Sequence, residues 1–368
     1  MTTLTIPADL LPVDGRFGCG PSKVRPEALA TLASIGDGLL GTSHRKPAIK
    51  GQVARLRDGI GTFFQVPDGY EVVLVPGGAT AFWDAATAGI VRDRARHYVF
   101  GEFSGKFAKA TSIAPWLEPS DVVEAPVGSR PVVTPCPSAD VQALTHNETS
   151  TGVMLDPVRV DDSLVLVDAT SGAGGLPVAI DQVDAYYFSL QKGFAAEGGL
   201  AMVVASPALV ERIESIAATD RHIPAFLDLK TAVDNSRKDQ TYNTPSVSTL
   251  VLAAEHVDWM LAEGGLDEMV ARSRAKSDHV YAWADARDWA TPFVADPDAR
   301  SLVVATIDLD DDLPADDVNA VLRANGILDT DGYRRLGRNQ LRIGLFPAVD
   351  QADVESYTAA VDWVVDHL

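Results

Sequence analysis

Cysteine is almost absent: Cys19 and Cys136 are the only two in 368 residues. Two are too few for a disulfide framework, and they show no metal-ligand spacing, so no metal is expected and a reducing compartment is the simplest setting. Positive charge is scarce as well, with 31 Lys and Arg against 51 Asp and Glu, a net charge of −20. That balance argues against a general binder of nucleic acid or anionic membrane, because phosphates would be repelled over most of the surface. Any anionic ligand has to be held by a local cluster of cations. No run of about 18 apolar residues occurs, and the N-terminus lacks a basic segment followed by an apolar core. A soluble, cytoplasmic protein without a membrane span is expected. No internal repeat or low-complexity tract stands out.

What is present is an ordinary globular composition, 46% hydrophobic and 22% charged, in a chain long enough for two domains. Residues 1–14, with Pro7 and Pro12, read as an extended arm. From there to residue 252, short apolar runs such as "EVVLVP", "LVLVD", "VDAYYFS" and "GLAMVVA" alternate with helical patterns. This predicts an α/β large domain over 15–252, with a mostly parallel sheet flanked by helices. The remainder, 253–368, predicts a smaller α+β domain. It has a helix pair turning near Gly264–Gly265, strands "SLVVATIDL" and "QLRIGLF", and a closing helix.

Lysine is the rarer cation, nine against 22 arginines, yet Lys192 sits in "YYFSLQKGFAAEGG", where a buried strand runs into a loop of small residues. Desolvation there would lower its pKa and free the amine to attack a carbonyl. Asp168, ending "LVLVD", could pair with a cationic ring nitrogen, and the helix opening at Ala79–Thr80 after "PGG" offers N–H groups to a phosphate. In open α/β sheets ligands sit at the carboxyl ends of the strands, where all three fall. A lysine amine with an acidic partner for a pyridinium is the minimal signature of pyridoxal phosphate chemistry. Each feature alone also fits a structural cation, a turn aspartate or an ordinary glycine turn. Two cationic groups could clamp an anion: His44, Arg45 and Lys46 in "TSHRKP", and Arg334, Arg335, Arg338 and Arg342 in "YRRLGRNQLRIG". Arg342, between apolar neighbours of a strand, is expected to have an anionic partner.

In order along nearly the whole chain, "FGCGPSKVRPEAL", "SHR", "GGAT", "NET", "VDATS", "SLQKGFA", "YNTPS" and "LRIGLFPAV" resemble the phosphoserine aminotransferase family, class V members of the fold-type I pyridoxal phosphate enzymes. The resemblance implies a Schiff base on Lys192 and Asp168 facing the pyridine nitrogen. It assigns the cofactor phosphate to Ala79, Thr80 and Gln191, with Thr149 near the phenolic oxygen. Asn243 and Thr244 would reach the phosphate of the other subunit of a homodimer. His44 and Arg45 match the grip on the substrate's distal anion, and Arg342 the arginine for its α-carboxylate. Two departures stand out. Phe103 occupies the place of a stacking Trp, and "YRRLGRN" replaces a His-Arg pair, leaving Arg334 or Arg335 for that part.

The implied reaction is reversible transamination between O-phospho-L-serine and 2-oxoglutarate, giving 3-phosphohydroxypyruvate and L-glutamate for serine biosynthesis. Family analogy extends it to 4-phosphohydroxy-L-threonine in pyridoxine synthesis. Competing readings are an alanine–glyoxylate or serine–pyruvate type aminotransferase, a cysteine desulfurase, or a non-catalytic anion-binding protein. A desulfurase needs a cysteine on a mobile loop, and neither Cys19 nor Cys136 is recognisably that residue.

Overall fold

The computed structural model describes residues 4–368. In chain order the first half contains α1 (Pro26–Leu39), α2 (Pro47–Phe63), β1 (Glu71–Pro76), α3 (Gly78–Gly89), β2 (Ala95–Val99), α4 (Glu102–Ser112) and β3 (Asp121–Glu124). It continues with β4 (Val141–Thr145), β5 (Asn147–Glu148), β6 (Val153–Met154), β7 (Leu164–Asp168), β8 (Ala185–Ser189) and β9 (Leu200–Ala205). Helices α5 (Pro207–Ala217), α6 (Leu229–Ser236), α7 (Val247–Ala262) and α8 (Gly265–Asp285) follow. The chain ends with β10 (Ala290–Pro292), β11 (Val304–Leu309), α9 (Ala315–Ala324), β12 (Gln340–Gly344) and α10 (Gln351–Val365). No helix among the described residues is long and apolar enough to cross a membrane.

Seven strands form one sheet in the order β1-β9-β8-β7-β4-β2-β3. All run the same way except β9, which is antiparallel to both neighbours. Both faces are covered, which explains the uninterrupted Val/Leu/Ile runs. Alternate side chains enter different cores. Val72 and Leu74 pack beneath α2 and α7 with Tyr186 and Phe188, whereas Val73 and Val75 face α3 with Phe82, Trp83 and Tyr187. The C-terminal ends of β1, β2, β4, β7 and β8 therefore open on one edge, each followed by a segment free to carry a side chain into the space beyond.

The second sheet, β10-β11-β12, is antiparallel and lies against α8, α9 and α10. The expected boundary after residue 252 falls inside α7. Leu250, Ala254 and Val257 of this helix belong to the large core, and Val280, Tyr281 and Trp283 of α8 to the small one. The change of partner comes at Gly264, whose φ of 125° is open to glycine. The N-terminal arm packs against the small domain. The arm contains a short 3₁₀ turn, Ala8–Leu10, and both Ile6 and Phe17 are buried in the small core. Residues 1–3 of that arm lie outside the described residues. The Leu328 N–H donates to the Gly15 carbonyl at 2.7 Å, and the Gly344 N–H to that of Phe17 at 2.7 Å. Both chain ends thus build the C-terminal layer.

This joint gives a test. A Cβ on Gly344 would lie 2.3 Å from the Gly18 carbonyl oxygen and 2.9 Å from that of Phe17, and backbone cannot swing aside. Gly344→Ala should lower the urea midpoint by the equivalent of about 1–3 kcal/mol, the usual cost of overpacking. Gly51→Ala, on an open face of α2, should instead raise it by roughly 0.4–1 kcal/mol. Equal midpoints for the two variants would contradict the joint.

Candidate active site

The loop from β8 to β9 is pinned on either side of Lys192. Leu190 and Phe194 are fully buried, and the Phe194 ring stacks on Phe188 with centroids 4.7 Å apart. Gly193 passes so close to Ala173 that a Cβ would sit 2.1 Å from its carbonyl oxygen. From the N-terminal crossing segment, Ser22 N–H donates to the Gln191 carbonyl at 2.8 Å. Gly20, at φ 131°, lies against the lysine stem, where a Cβ would come within 2.4 Å of Lys192 Cε. The amine, left with one direction, rests 5.1 Å from the centroid of the Phe103 ring. Burial pushes its pKa below the ordinary lysine range, against the opposing pull of Asp168, Cys19 and Glu148.

Asp168 ends β7, the neighbour of β8, so the two groups face one cavity of about 230 Å³ from adjacent strands. Its Oδ2 accepts from the Trp83 indole at 2.9 Å and its Oδ1 from the Thr170 N–H at 3.0 Å. Burial raises the carboxyl's pKa, and these donors together with Lys192 favour the ionised form. The N-terminus of α3 also reaches this cavity, through Ala79 and Thr80. The Ala79 N–H is not free, however, as the sequence suggested: it donates to Ser189 Oγ at 2.7 Å. Thr80, at the third helical position, keeps its donor for a ligand. Gln191 Oε1 and Asn147 Oδ1 are buried without a hydrogen-bond partner among the described residues. Such atoms are costly to leave unmet.

Phe103 stands in the first turn of α4, whose cap residue Gly101 offers no side chain. Glu148 does the capping from a distance. Its Oε1 accepts from Ser104 N–H at 2.6 Å and Ser104 Oγ at 2.8 Å, and its Oε2 from Ser150 Oγ at 2.9 Å. A buried carboxylate at a helix start complements the N–H groups there. A Cβ on Gly101 would strike this carboxyl at 2.5 Å, so the turn depends on glycine.

Arg342 departs from expectation. Among the described residues it makes no salt bridge. It donates to the carbonyls of Thr149 at 3.0 Å and Asp331 at 3.3 Å, and its guanidinium lies 5.3 Å from the Tyr333 centroid. Carbonyl dipoles and a ring face suffice for a half-buried guanidinium that still touches water. Thr149 does not line the cavity; its carbonyl serves Arg342. Cys19 is buried, its thiol donating to the Arg342 carbonyl at 3.6 Å, and burial raises its pKa, the wrong direction for a nucleophilic thiolate.

The remaining residues gather elsewhere. Thr244 Oγ1 meets His44 Nδ1 at 3.1 Å, and Arg45 donates to Gln240 Oε1 at 2.9 Å, so His44, Arg45, Asn243 and Thr244 form one group outside this chain's own cavity. Burial and Arg45 hold the His44 pKa low. Arg335 is paired with Glu102, and Arg338 with Asp308, while Arg334 and Tyr333 share the Arg342 groove. Trp83, Gly20, Asn147 and Glu148 escaped the sequence reading. Trp83 had a usable signal: four residues after Ala79, it shares that residue's helix face.

The arrangement places a desolvated amine and a hydrogen-bonded carboxyl group on one cavity. Residues 134–356 match the family described as aminotransferase class-V. A phosphoserine aminotransferase from Nocardioides sp. is 57% identical over 99% of both chains, and one from Corynebacterium glutamicum 56% over 98% of this chain and 97% of its own. The crystal structure of a phosphoserine aminotransferase from Cytophaga hutchinsonii superposes with a TM-score of 0.88 at 22% identity, covering 95% of this chain and 99% of the other. With fold, site and full-length sequence similarity in agreement, the chain belongs to the phosphoserine aminotransferases, within the class V aminotransferase family.

Proposed function

We propose that this aminotransferase moves an amino group reversibly between O-phospho-L-serine and 2-oxoglutarate, giving 3-phosphohydroxypyruvate and L-glutamate, as a cytoplasmic homodimer in serine biosynthesis. The observation that carries the reading is the buried Lys192 amine facing Asp168 in one cavity, in a chain whose full-length relatives bear that activity's name. Pyridoxal phosphate fits the donor set. Lys192 offers the amine, Asp168 an anion for a ring nitrogen, and Phe103 a flat face. Thr80 N–H offers a helix-end donor for phosphate, and Asn147 and Gln191 polar atoms that nothing else satisfies.

When bound, that cofactor supplies an aldehyde for the amine and a sink for the electrons left on the substrate's Cα. Lys192 Nζ, whose pKa burial lowers, would be the base that takes the substrate's Cα proton and the acid that gives it back. Asp168 would supply the anion for a cationic ring nitrogen, in a site with little water to compete. Arg342, with no carboxylate of its own, is free to grip the substrate's α-carboxylate through paired N–H donors. A side-chain carboxylate and a phosphate both suit guanidinium, so one site can serve both substrates. For that distal anion the reading uses Arg335 or Arg334 together with His44 and Arg45 of a second copy, whose Asn243 and Thr244 would reach the cofactor phosphate. Their absence from this chain's own cavity, beside the exposed Tyr242, supports a shared site. The alanine–glyoxylate type reading would be favoured instead by turnover of glyoxylate with none of phosphohydroxypyruvate.

Lys192→Ala should abolish transamination, and Lys192→Arg should not restore it, since guanidinium does not form an imine. Borohydride treatment of wild-type holoenzyme should add reduced cofactor to the Lys192 peptide, read by mass. A tag on another lysine overturns the assignment.

Asp168→Asn should keep the fold and lower kcat by about 10²–10³-fold, the scale of one lost electrostatic stabiliser. A change under threefold would remove Asp168 from the mechanism.

Two inactive variants can test the shared site. Lys192→Ala and Arg45→Ala, unfolded together and refolded, should regain about one quarter of wild-type activity, because half the dimers are mixed and each carries one intact site. No recovery after mixing would place Arg45 in the same subunit's site.

A further inference from the structure

Tyr333 lies on the loop between α9 and β12, in the small domain, yet its ring meets both domains. One side neighbours Phe103, with centroids 6.5 Å apart, and the Arg342 guanidinium lies 5.3 Å from its centre. Phe103 in turn carries the Lys192 amine at 5.1 Å. The result is a continuous row, Lys192–Phe103–Tyr333–Arg342, from the reacting amine to the free arginine. The loop is tied to the same first turn of α4 by the Arg335–Glu102 ion pair two residues on, so the ring is not placed by chance packing. Arg342's hydrogen bonds to the carbonyls of Thr149 and Asp331 hold two edges of its guanidinium, the second of them long at 3.3 Å. The ring bears on the group from its own side: a cation is drawn to an aromatic quadrupole, more strongly where water is partly excluded.

We propose that Tyr333 is a positioning residue that sets the plane of Arg342 and thereby the affinity for the carboxylate on the substrate's Cα. This rests on the reading of Arg342 as the α-carboxylate arginine. Both amino-acid substrates carry that group, so Tyr333 acts on them equally, unlike a residue touching the distal anion.

The experiment measures KM and kcat of holoenzyme for O-phospho-L-serine and for L-glutamate in Tyr333→Leu, Tyr333→Phe and Arg342→Lys. Tyr333→Leu keeps apolar volume and removes the ring. It should raise both KM values by the same factor, about 3–30-fold, with kcat within twofold, the pattern of lost uniform binding. Tyr333→Phe should restore both, because the ring face and not the hydroxyl makes the contact. Unequal KM changes, unchanged KM in Tyr333→Leu, or failure of Tyr333→Phe to restore would overturn the proposal alone, provided Arg342→Lys raises both KM values. Unchanged KM in Arg342→Lys would remove the α-carboxylate assignment and this proposal with it.

Discussion

Everything at this site depends on keeping one amine out of water beside one carboxylate. Water would hold Lys192 protonated and Asp168 well solvated, leaving neither nucleophile nor counter-ion with leverage. Burial acts on the two in opposite senses, favouring the neutral amine and the neutral acid, while their mutual attraction pulls both back toward charge. The balance is set asymmetrically. Asp168 accepts an indole N–H and a backbone N–H, donors that stabilise its anion. Lys192 has only the face of Phe103 and the distant pull of acids. Hydrogen bonds to the charged form are given to the acid and withheld from the base. The charge of the acid is therefore supported by fixed donors, while that of the amine has no hydrogen-bonding partner among the described residues.

That asymmetry needs rigid walls, and these come from segments far apart in the chain. The stem of Lys192 is covered by Gly20, which arrives from the small domain along a segment tied by Phe17 to Gly344. The Phe103 wall is held by Glu148, anchored in turn by two serine hydroxyls and a backbone N–H. Trp83 reaches Asp168 from α3, the same helix whose opening brings Thr80 to the cavity. One short helix thus contributes to two parts of the cavity wall. The small domain is accordingly part of the site's frame, since the segment that brings Gly20 to Lys192 is hydrogen-bonded to β12.

Much of this was legible because the signals were local. Unbroken Val/Leu/Ile runs mark strands covered on both faces, and a lone lysine or aspartate where such a run ends marks the sheet edge at which ligands sit. The reversal of β9 left no trace, since a buried strand reads the same in either direction. A boundary at residue 252 lies within α7, a helix apolar on most sides, whose apolarity says that it is buried without saying against what. Glu148 and Tyr333 were invisible for another reason. Their parts are defined by Ser104 and Phe103, 44 and 230 positions away in sequence, and no spacing encodes such contacts. Arg342 was expected to need an anion, but two carbonyls and a ring meet its requirements.

The last point explains how an acidic protein keeps cations available. With 51 acids to 31 bases, the default fate of an arginine here is capture by a carboxylate, as Arg55, Arg57, Arg237, Arg287 and Arg338 illustrate. A captured guanidinium has little affinity left for a second anion. Arg342 escapes because its nearest acceptors are the carbonyls of Thr149 and Asp331, and Arg45 because its partner is the amide of Gln240. Neutral oxygens orient a guanidinium without cancelling its charge, so the field of each survives for a ligand. Arg335, held by Glu102, is the contrasting case: it must exchange one anion for another before it can contribute, so its affinity for a ligand is a difference between two ion pairs. Arg342 and Arg45 thus keep their charge uncancelled by a neighbouring carboxylate in a chain of net charge −20, whereas that of Arg335 is already matched by Glu102.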